Sequence, residues 1–286
     1  MTLARLEVLL AALLFSTGGA AMKAITLSAW QVASFRAGVA ALTLLLLVPA
    51  ARKVSGRALV VALAQAGTFV TFVLANKLTT AASAVFLQAS APFWLILLGP
   101  MLLGERSSRR DVPYLAAILV GLVLLMLGTP EPSATAPNTP LGNSIGAVSG
   151  VLWALTLAGL RWAGRQGSAG GSFTAQSATM WGNVMACLLC LPLALPVGEA
   201  RPVDWSLIIY LGVVQVGLAY FFLTRGIGKV VAVEAALLLL LEPALSPLWA
   251  WLAHGETPGG LAILGGATIL SATTTRAVRG TGANAA

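Results

Sequence analysis

Two stretches of this sequence share one pattern: residues 92–105 read PFWLILLGPMLLGE, and residues 243–256 read PALSPLWAWLAHGE. Each begins with a proline in the middle of an apolar run and ends, at the same spacing, in a Gly-Glu pair. Glycine can end a helix in the left-handed conformation, and glutamate favours the positive N-terminal end of a helix. The two stretches therefore predict two copies of one helical unit, each built on a helix with a central proline.

Composition indicates that the chain is an integral membrane protein. It has 286 residues, of which 58% are hydrophobic and only 9% are charged, whereas soluble domains carry about 25% charged residues. The formal net charge is +8. The basic residues lie at the ends of apolar segments, so they indicate membrane topology rather than nucleic-acid binding. Residues 1–22 resemble a signal peptide, but an uncleaved first helix is favoured because further apolar segments follow at once.

Ten apolar segments are long enough to cross a bilayer, which takes about 20 residues. The sequence therefore predicts an all-α integral membrane protein with ten transmembrane helices. The segments are residues 4–22, 29–49, 58–76, 80–103, 112–129, 142–162, 173–196, 204–225, 229–253 and 258–276. Residues 130–141 are rich in proline and small polar residues, and we interpret them as a linker between the fifth and sixth segments.

Lysine and arginine are distributed unequally between the two sides of these segments. Thirteen lie on the side of the two termini, and three lie on the other side: Lys23, Lys77 and Arg201. Because cytoplasmic loops carry the excess of basic residues, both termini are predicted in the cytoplasm of a bacterial-type inner membrane, with the linker outside. Residues 1–129 and 142–276 then form two five-helix repeats of opposite orientation, followed by a cytoplasmic tail, residues 277–286.

At these residues the chain resembles the drug/metabolite transporter superfamily, specifically the EamA-type exporters. The resemblance is carried by the two five-helix repeats, the two proline to Gly-Glu stretches, and Arg36 in the second segment. It implies export of small metabolites, often amino acids, through a central cavity between the repeats, with the aromatic amino-acid exporters as a plausible branch. The seventh segment has no arginine matching Arg36, since Met180 or Trp181 stands near that place.

Polar and aromatic side chains in otherwise apolar segments are the candidates for lining this cavity. Depth, side-chain character and the resemblance together predict eight substrate-binding residues: Ser16, Thr17, Phe72, Gln88, Ser90, Trp153, Tyr220 and Glu242. Ordinary helix packing is the alternative for each of them. Pro92 and Pro243 are candidate hinges, because a proline removes a backbone hydrogen bond and kinks a helix.

Ionisable residues inside membrane spans are rare, so Glu242 and Arg36 are the most informative side chains. Glu242 could face a watery cavity, bind a substrate ammonium or exchange a proton, and the alternative is a protonated structural carboxyl. Arg36 could bind a carboxylate, but it could equally extend to the membrane surface or cap the C-terminus of a neighbouring helix. We favour a structural role for Arg36, because only its position in a span supports binding.

Other motifs give little support for an enzyme, a metal or a cofactor. Cys187 and Cys190 lie inside the seventh segment without further ligands nearby, so no metal, redox pair or cofactor is expected. His254 is interpreted as an interfacial residue. An intramembrane enzyme would need converging catalytic groups inside the spans, and the sequence has none.

The function predicted from the sequence is secondary transport across the membrane. The protein is expected to export amino acids or related small metabolites by alternating access, with a small-molecule substrate and the lipid bilayer as its partners and no nucleic acid. The first alternative is an exporter of other small organic compounds or drugs, including cations. A channel or a structural subunit is a further alternative, although a channel would favour symmetric polar rings.

Overall fold

The computed structural model describes residues 3–103, 112–128, 131, 133–164, 170–226 and 238–282. Within these ranges the chain is helical and has no β-sheet, apart from one isolated bridge between Ser133 and Ala136. This confirms the predicted all-α membrane fold class. The Gly-Glu pair of the first repeated stretch, residues 104–105, lies outside the described residues.

The described α-helices are numbered in chain order. They are α1 (Leu3–Ser16), α2 (Gly18–Ala24), α3 (Ala29–Leu47), α4 (Gly56–Leu78), α5 (Ala81–Gln88), α6 (Ala91–Leu103), α7 (Val112–Leu127), α8 (Thr139–Gly164), α9 (Gly170–Ala194), α10 (Pro202–Tyr210), α11 (Ala219–Gly226), α12 (Leu241–His254) and α13 (Gly260–Gly282). A 3-10 helix, Pro49–Arg52, follows α3, and a π-helical segment, Leu211–Leu218, joins α10 to α11.

Six helical stretches of the described chain are long and apolar enough to cross a membrane, and the count of ten stays a prediction. They are Leu3–Ala24, Ala29–Leu47, Gly56–Leu78, Thr139–Leu160, Ala175–Ala194 and Pro202–Gly226. Shorter apolar helices are Ala81–Leu95, Val112–Leu127 and Gly260–Thr275. Residues 229–237 of the predicted ninth segment lie outside the described residues, and α12 forms its second half.

The leading prolines of the two repeated stretches, Pro92 and Pro243, lie in the first turn of a helix rather than in its middle. Pro92 follows the first residue of α6, and Pro243 lies in the first turn of α12. A proline is tolerated there because the first amides of a helix have no intrahelical partner. The sequence predicts a continuous helix with a kink at each of these prolines. At both places a new helix begins instead.

Gly255 and Glu256 connect α12 to the first part of the chain. Gly255 ends α12 with a left-handed φ of 64°, which glycine adopts without steric cost. Glu256 was expected to favour the start of the following helix. Its Oε2 instead accepts a hydrogen bond of 3.0 Å from the backbone amide of Ala81, the first residue of α5. The carboxylate therefore meets a helix N-terminus, as its charge favours, but one that is distant in sequence.

Helices that precede residue 128 pack against helices that follow residue 138. α4 packs against α8 and α9, α3 packs against α9 and the π-helical segment, and α1 packs against α11 and α12. α7 and α13 form a separate pair. Their backbones approach closely at Gly121 and Gly265, where a Cβ on Gly265 would lie 2.6 Å from the Gly121 carbonyl oxygen. Small residues allow such close helix pairs in membranes.

Candidate functional site

A cavity of about 40 Å³ lies between helices from both parts of the chain. Its walls come from α1, α3, α4, α5, α8, the π-helical segment, α11 and α12. The lining residues are Phe15, Arg36, Thr68, Phe69, Phe72, Gln88, Trp153, Gln215, Val216, Tyr220 and Glu242. This volume holds a few water molecules, whereas small-molecule sites typically have about 300 Å³ or more.

The structure brings five of the eight predicted substrate-binding residues into this lining: Phe72, Gln88, Trp153, Tyr220 and Glu242. Tyr220 is buried and meets two aromatic rings edge to face, with ring centroids 5.0 Å from Phe15 and 5.5 Å from Phe69. The amide of Gln88 donates a hydrogen bond of 3.0 Å to the Ser149 hydroxyl on α8. The lining therefore combines an aromatic wall with amide and charged groups.

The other three predicted residues, Ser16, Thr17 and Ser90, make contacts at helix breaks instead of lining the cavity. The Ser16 hydroxyl accepts a hydrogen bond of 3.0 Å from the Trp249 indole on α12. The Thr17 hydroxyl, between α1 and α2, shares a hydrogen bond of 2.8 Å with the Tyr210 hydroxyl. The hydroxyl of Ser90, between α5 and α6, donates a hydrogen bond of 2.6 Å to a backbone carbonyl of α5. These hydroxyls satisfy backbone groups and join helices where the chain is interrupted.

Glu242 enters the cavity from the beginning of α12. It lies in the first turn of that helix, where the aligned peptide dipoles favour a negative charge. Its side chain is half-buried. In the described part of the chain, no Lys, Arg or His nitrogen lies within ion-pair distance of its carboxylate. The carboxylate is therefore available to a positively charged group in the cavity.

Arg36 enters the cavity from the middle of α3 and is only 2% exposed. Its Nη1 donates to Gln215 Oε1 over 3.4 Å, and its Nη2 donates to the Phe69 carbonyl oxygen over 3.5 Å. The guanidinium carbon also lies 5.7 Å from the centre of the Phe69 ring. Because Arg36 is buried and Phe69 lies inside α4, the side chain neither extends to the membrane surface nor caps a helix C-terminus.

Gln215 is a lining residue that the sequence analysis missed. It lies in the π-helical segment, a rare conformation that is often found at functional sites. Gly18 leaves the space that its side chain occupies, because a Cβ on Gly18 would lie 2.6 Å from Gln215 Nε2. Gly212 lets the segment approach α3, since a Cβ there would lie 2.9 Å from the Arg36 carbonyl oxygen. Glycines flanking a glutamine inside an apolar segment were the available signal.

Comparison with known proteins places the chain in a family. The profile of the EamA-like transporter family matches residues 3–127 and 140–275, nearly the whole chain. The chain belongs to the EamA-like transporter family. This confirms the resemblance stated from the sequence, and it identifies a multi-pass membrane transporter rather than an enzyme.

Named relatives of this EamA-like transporter are also transporters. A pseudopaline exporter of Pseudomonas aeruginosa is 29% identical over 272 residues, which cover 92% of each protein. An uncharacterized transporter of Archaeoglobus fulgidus is 28% identical over 204 residues, which cover 71% of this chain and 70% of that protein. One crystal structure shares the fold, with a TM-score of 0.64 at 22% identity, over 96% of this chain and 98% of that one.

Proposed function

We propose that this protein is a secondary transporter that exports amino acids or related small metabolites by alternating access. The observation that carries the proposal is the lining of the cavity, which draws a carboxylate, a guanidinium, amides and aromatic rings from both family-matched stretches. Such a lining suits a small zwitterion with an apolar side chain, because aromatic faces attract both apolar groups and cations. The name of the Pseudomonas relative supports outward transport of a small metabolite.

The charges of the lining argue against phosphorylated substrates. Phosphate groups are usually bound by clusters of lysine and arginine. Arg36 is the one basic residue among the described lining residues. Glu242 is suited to the ammonium group of an amino acid, and Phe72, Trp153 and Tyr220 are suited to its side chain.

The size of the cavity supports alternating access as the transport mechanism. At about 40 Å³, the cavity is far smaller than the space that an amino acid requires, so the surrounding helices have to separate before a substrate enters. Pro92 and Pro243, at the restarts of α6 and α12, are the proposed hinges. Both lie at the cavity ends of helices, close in sequence to the lining residues Gln88 and Glu242.

The packing of the helices supports two repeats of opposite orientation, residues 1–129 and 142–276. Contacts occur in reciprocal pairs: α4 packs against α8 as α11 packs against α1, and α5 and α6 pack against α8 as α12 packs against α1. α3 also packs against α9, and α7 against α13; in each of these pairs the two partners are the equivalent helices of the two repeats. Reciprocity of this kind is expected when two like units are related by a pseudo-twofold axis in the membrane plane.

We also propose that both termini lie in the cytoplasm. The contact between Lys23 and Glu256, 3.4 Å apart, supports this topology, because the count of basic residues assigns both to the side opposite the termini. A cytoplasm-active reporter fused after Arg279 and a periplasm-active reporter inserted in residues 130–141 should both give signal. Two silent reporters in the presence of intact protein would contradict the topology.

Counterflow in proteoliposomes tests the transport function. A panel of unlabelled amino acids should compete with a labelled one, and the flux should saturate. Glu242→Gln should weaken this flux about tenfold or more, since hydrogen bonds to charged groups contribute about 1.5–3 kcal/mol. Glu199→Gln, at an exposed position, is the matched control. The substrate assignment fails if no amino acid competes while another class of metabolite does.

A further inference from the structure

The guanidinium of Arg36 has no counter-ion in the part of the chain that the structure describes. No described carboxylate lies within 4.0 Å of it, and its Nε has no hydrogen-bond partner. The two hydrogen bonds that it does make are long, at 3.4 Å and 3.5 Å, and both go to neutral oxygens. A buried, unpaired charge in a membrane span is costly and generally marks a functional site.

The geometry around Arg36 leaves one edge of the guanidinium suited to a ligand. An arginine binds a carboxylate best through two parallel N–H groups, and Nε is one member of such a pair. Gln215 fixes the side chain from one side, because its Nε2 donates to the Phe15 carbonyl oxygen over 3.4 Å while its Oε1 accepts from Arg36. Arg36, whose Nε is unpartnered, lines the same cavity as Glu242 and the aromatic residues.

We propose that Arg36, positioned by Gln215, binds the carboxylate of the transported substrate, which supplies the counter-ion that the guanidinium lacks. This inference rests on the proposed function and assigns one half of the zwitterion to Arg36, as Glu242 takes the other half. It replaces the structural role for Arg36 that the sequence favoured. Arg36 and Glu242 do not form an ion pair with each other, so both charges remain for a substrate that carries one of each sign.

Three ligands of similar size test the two charged groups of a zwitterion separately. Phenylalanine carries both an ammonium and a carboxylate, its amide lacks the carboxylate, and 3-phenylpropionate lacks the ammonium. Their affinities for purified protein, measured by competition against a labelled amino acid and by thermal shift, should rank phenylalanine first. Arg36→Gln should weaken the binding of phenylalanine and of 3-phenylpropionate about 10- to 100-fold, because both carry a carboxylate. The affinity for the amide should stay unchanged. Arg57→Gln, whose guanidinium lies over Trp162, is the matched control and should change none of the three.

Gln215→Glu provides a second test that keeps Arg36 in place. The new carboxylate would lie at hydrogen-bond distance from the guanidinium and would occupy it. We expect loss of 3-phenylpropionate binding as large as in Arg36→Gln, together with a higher melting temperature, whereas Gln215→Met should weaken binding less. If Arg36→Gln fails to fold, Gln215→Glu carries the test alone, and unchanged 3-phenylpropionate binding in that variant overturns the inference.

The outcomes also separate this inference from the transport function. Equal weakening of all three ligands by Arg36→Gln would show a structural role and overturn the inference, even if amino acids are transported. The inference is also overturned if wild-type protein binds the amide as tightly as the amino acid. If wild-type protein binds 3-phenylpropionate through Arg36 but moves no amino acid, the proposed substrate is wrong and the carboxylate site stands.

Discussion

Lys23 and Arg36 are both buried cations of membrane-spanning helices, yet their surroundings are opposite. The Lys23 side chain is 1% exposed and pairs with Glu256 at 3.4 Å. Its ammonium also donates to the backbone oxygens of Thr79 and Thr135. Arg36 has two long hydrogen bonds to neutral groups and an unpartnered Nε. Lys23 therefore has its counter-ion within the protein, whereas Arg36 has none among the described residues.

The group around Lys23 joins parts of the chain that are far apart in sequence. Glu256 accepts hydrogen bonds from the Ala81 amide at 3.0 Å and from the Thr135 hydroxyl at 3.3 Å. We call Lys23, Thr79, Ala81, Thr135 and Glu256 the Lys23 network. Because α5 begins at Ala81 and α12 ends just before Glu256, both helices run from this network to the cavity.

The largest effect is expected from breaking the Lys23 pair. Glu256→Gln removes the counter-ion of a buried lysine, which costs about 3–5 kcal/mol when one partner of a buried pair is lost. The melting temperature of the purified protein should fall clearly. The double variant Lys23→Met with Glu256→Met should recover much of this loss, because no charge is left unpaired. A melting temperature equal to that of the exposed control Glu199→Gln would contradict the prediction.

Removing the charge of Arg36 should not lower the melting temperature, in contrast to removing the charge of Glu256. Arg36→Met removes a charge that has no partner among the described residues, so no buried carboxylate is stranded and the cost of burying the guanidinium disappears. We expect an unchanged or higher melting temperature, together with loss of carboxylate binding. A drop as large as that of Glu256→Gln would show that Arg36 is held by the fold in the way that Lys23 is.

Much of the fold could be predicted from the sequence because membrane insertion depends on local composition. A run of apolar residues spans the bilayer wherever it occurs, so the six clear spans coincide with predicted segments. The helix breaks at Thr17 and at residues 89–90 were not predicted. They depend on contacts such as the bond from Thr17 to Tyr210, which join residues that are remote in sequence.

The candidate site could be predicted only in part, because it too depends on contacts between residues that are remote in sequence. Depth and side-chain type were enough to select Trp153, Tyr220 and Glu242, which the structure places in the lining. They could not find Gln215, whose position depends on a π-helical segment and on the space beside Gly18. Nor could they determine whether Arg36 has a counter-ion, because that depends on the distances between helices.

Gly18→Ala tests how Gln215 positions Arg36 without removing any charge. The added Cβ would lie 2.6 Å from Gln215 Nε2 and 2.8 Å from its Cδ, so the flexible side chain has to move away from Arg36. Losing one positioning hydrogen bond should weaken carboxylate binding by up to about tenfold, with little change in melting temperature. Gly56→Ala, with no atom within 4 Å of the added Cβ, is the control and should bind normally.

The smallest effect is expected at Pro92 and Pro243. Both lie in the first turn of a helix near the cavity, Pro92 in α6 and Pro243 in α12. Replacing both with alanine restores backbone amides that can bond to the preceding turn, and the interrupted helices then tend to continue. Each added bond is worth about 1 kcal/mol, or about fivefold in a rate if it resists the motion that opens the cavity.

Turnover and binding distinguish a hinge from a packing residue in this double variant. A hinge predicts slower counterflow in proteoliposomes with unchanged equilibrium binding of phenylalanine, because the ligand contacts at Arg36 and Glu242 are untouched. Pro113→Ala is the matched control, since Pro113 also lies in the first turn of a helix, α7, that contributes nothing to the described cavity lining. Normal turnover in the double variant, or an equal slowing in Pro113→Ala, would mean that the helix restarts are fixed features. The motion that opens the cavity would then have to involve other residues of α5, α6 and α12.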